Sequence, residues 1–432
     1  MAREFRDSGI EWIGQIPREW KVGQVKQCFI RKNEKAEQDS PIVLSLARSG
    51  VKVRDISTNE GQLAESYYNY NPVEIDDLLI NPMDLYSGAN CSISKVCGVI
   101  SPAYINLRYI GNNNPRYFDY YFKTQYWSMA FFAHGKGISF DNRWTLNADT
   151  ILRYFIPIPS PEEQRKIAIF LDKVCGEVDE MIALQEQMIE ELKAYKQSII
   201  TEAVTKGLNP NAPMKDSGID WIGEVPEGWK LEPLKYCFRR RSEKNNPVKT
   251  KEKLSLSIDK GVTLYAEKTT NLDRFKEDYT QYQLAYPNDI VLNCMNMIVG
   301  AVGLSKYMGC VSPVYYVIYP IKTEIDALYY SYLLNIPTIR GVYYSLGKGI
   351  YAIERGEGRV NTCRLKVSYD DFGRLDIPIP SIEEQKQIAS YLDTKCSEID
   401  SLIAIKQQKI EELKEYKKSV IYEYVTGKKE VV

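Results

Sequence analysis

The sequence predicts an α+β protein: two α/β domains with irregular β-sheets, separated by two long α-helices that form an antiparallel coiled coil, all related by a pseudo-two-fold internal repeat. Three observations predict it. The phrase DSGIEWIGQIPREWK at 7–21 returns as DSGIDWIGEVPEGWK at 216–230, with 10 identities. The stretch 156–205 returns at 377–426 with 30 of 50 positions identical. Between these phrases lie two stretches, about 30–155 and 239–376, that resemble each other far less. The predicted organisation is a first domain at 1–155, a helix at 156–205, a linker at 206–215, a second domain at 216–376, and a second helix with its tail at 377–432. Two similar scaffolds with two divergent faces suit two similar but non-identical ligands.

The helices are predicted from their starts and their spacing. Ser160-Pro161-Glu162-Glu163 combines a capping serine, a proline in the first turn and carboxylates where the helix dipole favours them. Ser381-Ile382-Glu383-Glu384 repeats it. The preceding IPIP is extended, because proline pushes its predecessor out of the helical region. Apolar residues then alternate at spacings of four and three: Ile167, Leu171, Val174, Val178, Met181, Met188, Leu192, Tyr195 and Ile199, broken at Gln185. The second copy runs Ile388, Leu392, Ile399, Leu402, Leu413, Tyr416 and Val420. Lys395, Lys406 and Lys409 interrupt it, and Ile403 and Ile410 form a neighbouring stripe. Such a pattern is a heptad seam, and about 44 residues rising 1.5 Å each make a rod of about 65 Å. The two copies either pack on each other as an antiparallel pair or lie each on its own domain. Gly207 followed by Pro210 ends the first rod.

The variable stretches are short segments rich in Val, Ile and Tyr, punctuated by Gly, Asn and Pro, which reads as strands and turns. One helix is predicted in each, near 116–132 and 325–340. Weak similarity survives: Asp77–Asn81 with Asp289–Asn293, Ser101–Tyr104 with Ser312–Tyr315, Gly135–Ile138 with Gly347–Ile350. Both are therefore one fold with changed surfaces.

Composition excludes several classes. Apolar content of 44% and charged content of 26% are those of an ordinary globular protein, and 432 residues exceed one core. No run of eighteen apolar residues predicts a membrane span, and the N-terminus lacks a signal-like apolar core. Nine cysteines with no CxxC pair read as reduced packing residues of a cytoplasmic protein, Cys28 recurring as Cys237 and Cys175 as Cys396. The single histidine, His134, is replaced by Leu346 in the second copy, which makes a weak catalytic case. No phosphate loop or zinc spacing occurs. Asn81-Pro82-Met83-Asp84 is only distantly like an amino-methyltransferase motif, and the second copy reads Asn293-Cys294-Met295-Asn296.

The charge distribution points to a partner. The net charge is −1. Residues 162–205 carry ten acids against five bases, whereas 239–376 carry twenty bases against fifteen acids. Acidic helices seldom lie on DNA; neutral to basic loops do. The candidate DNA-binding residues are Arg48, Lys52, Arg54, Asn90, Lys136, Asn142 and Arg143 in the first stretch, and Lys260, Asn296, Lys306, Lys348, Arg355, Arg359 and Arg364 in the second. In each Gly-Lys-Gly, glycine is expected to admit a phosphate and lysine to supply charge.

The repeated DSGIxWIGxxPxxWK opening, the IPIPSxEEQxxIAxxLD helix start and the IEELKxYKxSxI run together resemble the specificity subunit of type I restriction-modification enzymes, over essentially the whole chain. That resemblance implies two target-recognition domains, each reading half of a bipartite asymmetric site in double-stranded DNA, the first domain taking the 5′ half. It implies helices that act as a ruler and dock two modification (M) subunits, which methylate adenine N6. Restriction (R) subunits would add translocation and cleavage. S-adenosylmethionine, ATP and Mg would belong to those partners, with no cofactor and no catalytic residue on this chain. The alternative is a two-armed protein-binding scaffold, which the 32 tyrosines would suit. A self-contained restriction enzyme is disfavoured, because nothing here supplies methyl transfer or cleavage.

Overall fold

The computed structural model describes residues 3–38, 41–47, 49–56, 64–83, 85, 90–137, 144–258, 260–268, 278–350, 354–355, 359–360 and 364–431. The first repeat runs β1 (Phe5–Asp7), β2 (Gln15–Pro17), β3 (Lys21–Gln24), β4 (Phe29–Lys32), β5 (Leu44–Ala47), β6 (Gly50–Val53), β7 (Asn71–Val73), β8 (Leu78–Ile80), β9 (Cys91–Ile93), β10 (Gly98–Ile100), β11 (Ile105–Tyr109), α1 (Pro115–Trp127), α2 (Ala130–Ala133), α3 (Ala148–Arg153), β12 (Phe155–Ile158) and α4 (Pro161–Lys206). The second runs β13 (Met214–Asp216), β14 (Glu224–Pro226), β15 (Lys230–Pro233), β16 (Phe238–Arg240), β17 (Leu254–Ser257), β18 (Gly261–Leu264), α5 (Tyr265–Lys268), β19 (Gln283–Ala285), β20 (Ile290–Asn293), β21 (Val302–Leu304), β22 (Gly309–Val311), β23 (Tyr315–Pro320), α6 (Ala327–Leu333) and α7 (Pro337–Leu346). It closes with β24 (Lys348–Ile350), β25 (Glu354–Arg355), β26 (Arg359–Val360), β27 (Arg364–Lys366), α8 (Tyr369–Gly373), β28 (Asp376–Ile379) and α9 (Ile382–Val425).

The chain divides into two units that cut across the repeats. One holds Met1–Glu186 with Gln407–Val432; the other holds Gln187–Arg355 and Arg359–Lys406. Each unit thus contains one sheet domain, the start of its own long helix and the end of the other repeat's helix.

In the first unit an antiparallel sheet of order β4-β11-β8-β9 carries the β7–β10 and β5–β6 ribbons, while β12 pairs with β3. The aromatic face of α1 (Tyr117, Phe118, Tyr121, Phe122) covers the sheet, because four rings at helical spacing bury more apolar area than any other face of that helix. Asn114 caps the helix by accepting from the Arg116 amide, with Pro115 in the first turn. Ile167 and Leu171 of α4 and Val420, Ile421 and Val425 of α9 complete the same core.

The second unit repeats this plan, with sheet order β16-β23-β20-β21 and ribbons β17–β18, β19–β22 and β15–β28. Tyr329, Tyr330 and Leu333 of α6 fill its core with Ala203 and Val204 of α4 and Ile388 and Leu392 of α9. Two ribbons, β24–β27 and β25–β26, are added. The predicted single helices near 116–132 and 325–340 are each a pair: Met129 takes a left-handed φ of 61° after α1, and Pro337 starts α7.

The helix starts form as expected. Ser160 and Ser381 accept from the amides of Glu163 and Glu384, both at 3.2 Å. Two side chains of the repeated EEQ then lock the helix to its domain. Trp20 donates to Glu163 at 2.8 Å, as Trp229 does to Glu384 at 2.9 Å. Gln164 is fully buried, donates to Asn113 and Pro159, and accepts from the Asn114 amide. Gln385 does the same with Glu324, Pro380 and Asp326.

Within each unit the two helices run antiparallel. Phe170 packs tilted against Tyr424 with centroids 4.4 Å apart, and Lys417 pairs with Asp179 at 2.7 Å. In the second unit Lys196 pairs with Asp400 at 2.7 Å. The predicted seam needs correction at several positions. Met181 and Leu402 are 51% and 47% exposed, and Tyr195 and Tyr416 are exposed too. The buried line keeps Val178, Ile399 and Leu413 of the predicted seam and adds Cys175 and Ile189 on α4 and Cys396 and Ile410 on α9. Ile167, Leu171, Ile388 and Leu392 face the sheet domains, so the stripe first covers a domain and then the partner helix. Val174, Met188 and Leu192 are half-buried beside it. Adjacent apolar pairs such as Val174-Cys175 and Met181-Ile182 offer two registers, and the packing surface opposite decides which member is covered.

Candidate nucleic-acid interface

One loop in each unit is a reference point for the divergent side chains. In the first, the β8–β9 loop is closed by the Asn81 amide donating to the Asn90 carbonyl at 2.9 Å. Asn81 also accepts from the Met83 amide, so its side chain builds the turn. Asn90 donates to the Ala47 carbonyl at 3.0 Å, which ties the loop to the β5–β6 hairpin. Lys52 stands exposed on β6, and Arg54 follows it, half-buried. On its other side the loop meets the Lys136 segment: Leu146 donates to the Pro82 carbonyl, and Lys136 pairs with Thr145. The structure therefore brings Asn90 and the Lys136 segment to one loop, with Lys52 and Arg54 on the hairpin tied to it at Ala47. Arg48, Asn142 and Arg143 lie outside the described residues.

The second unit uses the same frame with other side chains. The Asn293 amide donates to Ala301, Asn293 accepts from the Met295 amide, and Val367 donates to the Cys294 carbonyl. Asn296 is exposed in this loop, and Lys260 is exposed at the tip of the β17–β18 hairpin, where Gly261 lies against Gly303 of β21. Lys348 is exposed on β24 and reaches Asp371 at 3.6 Å. Hydrogen bonding from Ser368 holds the Asp371 carboxyl below its usual range, and Lys348 adds to the effect. Lys306 is separated from the rest, in the turn after β21, at the opposite end of that strand from Asn296. Arg355, Arg359 and Arg364 stand on β25, β26 and β27, with side chains outside the described residues.

The Gly-Lys-Gly segments differ from expectation. A Cβ on Gly135 would fall 2.4 Å from the Trp144 indole nitrogen, and one on Gly347 would fall 2.8 Å from Leu365. The first glycine of each motif thus admits a neighbouring side chain of the protein itself, and the lysine alone faces outward.

Sequence reasoning missed Lys366 and Arg240. Lys366 stands directly across from Lys348 in the β24–β27 ribbon. Two lysines opposite each other repel, so the pair concentrates positive charge for an anion. The alternation Leu365 in, Lys366 out, Val367 in was available as a signal. Arg240 lies over the rings of Tyr316 and Tyr369, at 4.9 and 5.4 Å, and is exposed. Only the fold brings those tyrosines together.

Among the described residues every cysteine but the exposed Cys97 is a buried packing group. Burial pushes the Cys28 and Cys237 thiols up to about 11 and also raises Cys175 and Cys396. Among the described residues no cluster of His, Cys, Asp and Glu could hold a metal ion, and no helix is long and apolar enough to cross a membrane.

The family described as type I restriction modification DNA specificity domain matches residues 17–194 and 235–415. Two curated relatives come from Methanocaldococcus jannaschii. A putative type I restriction enzyme MjaX specificity subunit is 27% identical over 66% of this chain and 62% of its own length. The MjaVIII specificity subunit is 28% identical over 63% and 61%. The matched region therefore spans about three-fifths of these relatives. A chain from a solved type I R-M system shares the fold with a TM-score of 0.66 at 15% identity, covering 95% of this chain and 98% of that one.

Proposed function

The chain belongs to the family of type I restriction-modification specificity subunits, and we propose that each of its two units reads one half of a bipartite, asymmetric DNA site. One observation carries the reading. The β8–β9 and β20–β21 loops are closed by the same backbone and asparagine hydrogen bonds, yet carry Asn90 in one unit and Asn296 in the other, with Lys52 on the β5–β6 hairpin, Arg54 just after it, and Lys260 on the β17–β18 hairpin. An identical frame with exchanged side chains changes which base edges are read while keeping how the duplex is approached.

The helix pair would set the separation of the two half-sites, as protein geometry sets half-site spacing in other DNA readers. The chain would supply specificity and leave chemistry to two modification subunits, which would use S-adenosylmethionine to methylate adenine N6. Restriction subunits using ATP and Mg would cleave. A net charge of −1 leaves this chain short of positive charge for a duplex. Its partners would close around the DNA, so the chain alone should show a shallower dependence of binding on salt than the assembled complex.

The test is methylation mapping. The chain is expressed with its modification partner in a host lacking adenine methylation, and N6-methyladenine is located by sequencing. A single bipartite motif of constant gap is expected, and exchanging residues 30–155 for those of another family member should change one half only. Absence of methylation with the partner bound and active would instead favour the protein-binding scaffold.

A further inference from the structure

Arg340 on α7 is a half-buried cation without a counter-ion. Its Nε donates to the Asn335 carbonyl at 3.0 Å. The guanidinium lies against Gly300, where a Cβ would fall 2.9 Å from Arg340 Cζ and 3.1 Å from Nη2. Gly300 has a φ of 96°, so it serves both the left-handed turn and the close approach. Among the described residues no carboxylate lies within ion-pair distance of Arg340. Burial lowers its pKa, opposed by the Tyr343 phenol and by no carboxylate. The Asn335 side-chain oxygen beside it is buried without a partner. A desolvated charge left unpaired is costly.

The first unit shows what the second has given up. There Lys123 also sinks toward the domain, but Asp119 one turn earlier takes it at 2.7 Å. Asp119 follows Tyr117 by two residues. The matching tyrosine, Tyr329, is followed by Ser331, whose hydroxyl donates to the Leu328 carbonyl. The position of Lys123 is taken by Asn335. The second repeat thus lacks that internally neutralised pair and carries its cation, the Arg340 guanidinium, elsewhere, on α7, where the first repeat has Ser128. That guanidinium sits against the loop that presents Asn296.

We propose that Arg340 binds a backbone phosphate of the DNA half-site read by the second unit, a contact with no counterpart in the first. The inference rests on the DNA-reading assignment above. A planar guanidinium suits a phosphodiester, whose two oxygens accept its N–H fork. Such a contact positions the duplex and carries no base information.

The experiment uses the assembled specificity–modification complex with Arg340→Gln and Arg340→Lys. Arg340→Gln should weaken binding to matched and unmatched duplexes by one common factor, about 3- to 10-fold near 0.1 M salt. It should also lower the slope of log K against log salt by about 0.9, with the methylated motif unchanged. Arg340→Lys should restore the slope. An unchanged slope in Arg340→Gln, with or without a lower melting temperature, would overturn the proposal. So would a base-specific change in the motif. A wild-type complex that neither binds nor methylates DNA would overturn the underlying reading, and that outcome is visible before any variant is made.

Discussion

The Tyr117 hydroxyl donates to the carbonyl of Val425 at 2.9 Å, joining the first sheet domain to the last turn of a helix 308 residues further along. Tyr329 does the same to Val204 at 2.8 Å. Each domain therefore holds the end of the other repeat's helix through one buried tyrosine. The tail follows suit: Gly427 packs against Pro17 and Trp20 as Gly207 packs against Pro226 and Trp229.

Removing either hook should cost stability. Tyr117→Phe or Tyr329→Phe leaves a buried carbonyl without its donor, worth about 1–3 kcal/mol. Tyr121→Phe is the internal control, because its hydroxyl is buried with no partner. Its removal should be neutral or stabilising. Denaturation midpoints of the three variants decide the matter; a loss in Tyr121→Phe equal to that in Tyr117→Phe would refute the hook.

The buried glutamines should be equally intolerant. Gln164→Leu strands the Asn114 amide and the Pro159 carbonyl, each about 1–3 kcal/mol if left unsatisfied. Gln385→Leu should match it in the second unit. Urea unfolding is the measurement, and a change under about 0.5 kcal/mol would show that water replaces the side chain.

The register of the helix pair can be read by alanine. Ile189 is 6% exposed and Met181 is 51% exposed. Ile189→Ala should cost about 2–4 kcal/mol and Met181→Ala about 0.5 kcal/mol or less. The reverse order would restore the seam through Met181. Asp179→Asn should matter little, because the Asp179–Lys417 pair is largely exposed.

Stability should fall on mild acidification. His134 lies edge-on to Trp12 and Tyr154, with centroids 4.6 and 5.2 Å away, and burial holds its pKa below 6.5. Below that value the unfolded chain binds the proton more readily than the folded one, so stability is lost as pH drops from 7 toward 5. His134→Leu places the second repeat's residue there and should flatten that limb. Equal pH dependence in both proteins would assign the effect to other groups.

Much of the frame was legible. The duplicated phrases announced two copies of one unit, and Ser160 and Ser381 announced the helix starts, because caps and proline act locally. The seam was legible as a period but not as a register. Met181 and Ile182 are adjacent and both apolar, and only the partner surface decides which is covered. The candidate interface was legible as loops. Bringing Asn90 to the Lys136 segment, with the Lys52 hairpin tied alongside, depends on ribbons folding back over the sheet. Arg340 was passed over because an arginine on a short helix reads as solvated. Its isolation shows only once Gly300 and Asn335 are packed against it.

By itself the sequence determined the duplicated organisation, the two long helices and the strand-and-turn character of the divergent stretches. These follow from local propensity, capping and hydrophobic period, which act over a few residues. Tertiary structure alone decided that each unit is closed by the end of the other repeat's helix. It also decided that the first glycines of the Gly-Lys-Gly segments make room for the protein's own side chains, and that one guanidinium is left without a carboxylate. Those outcomes depend on which buried groups find partners across hundreds of residues, and nothing within a short window encodes that.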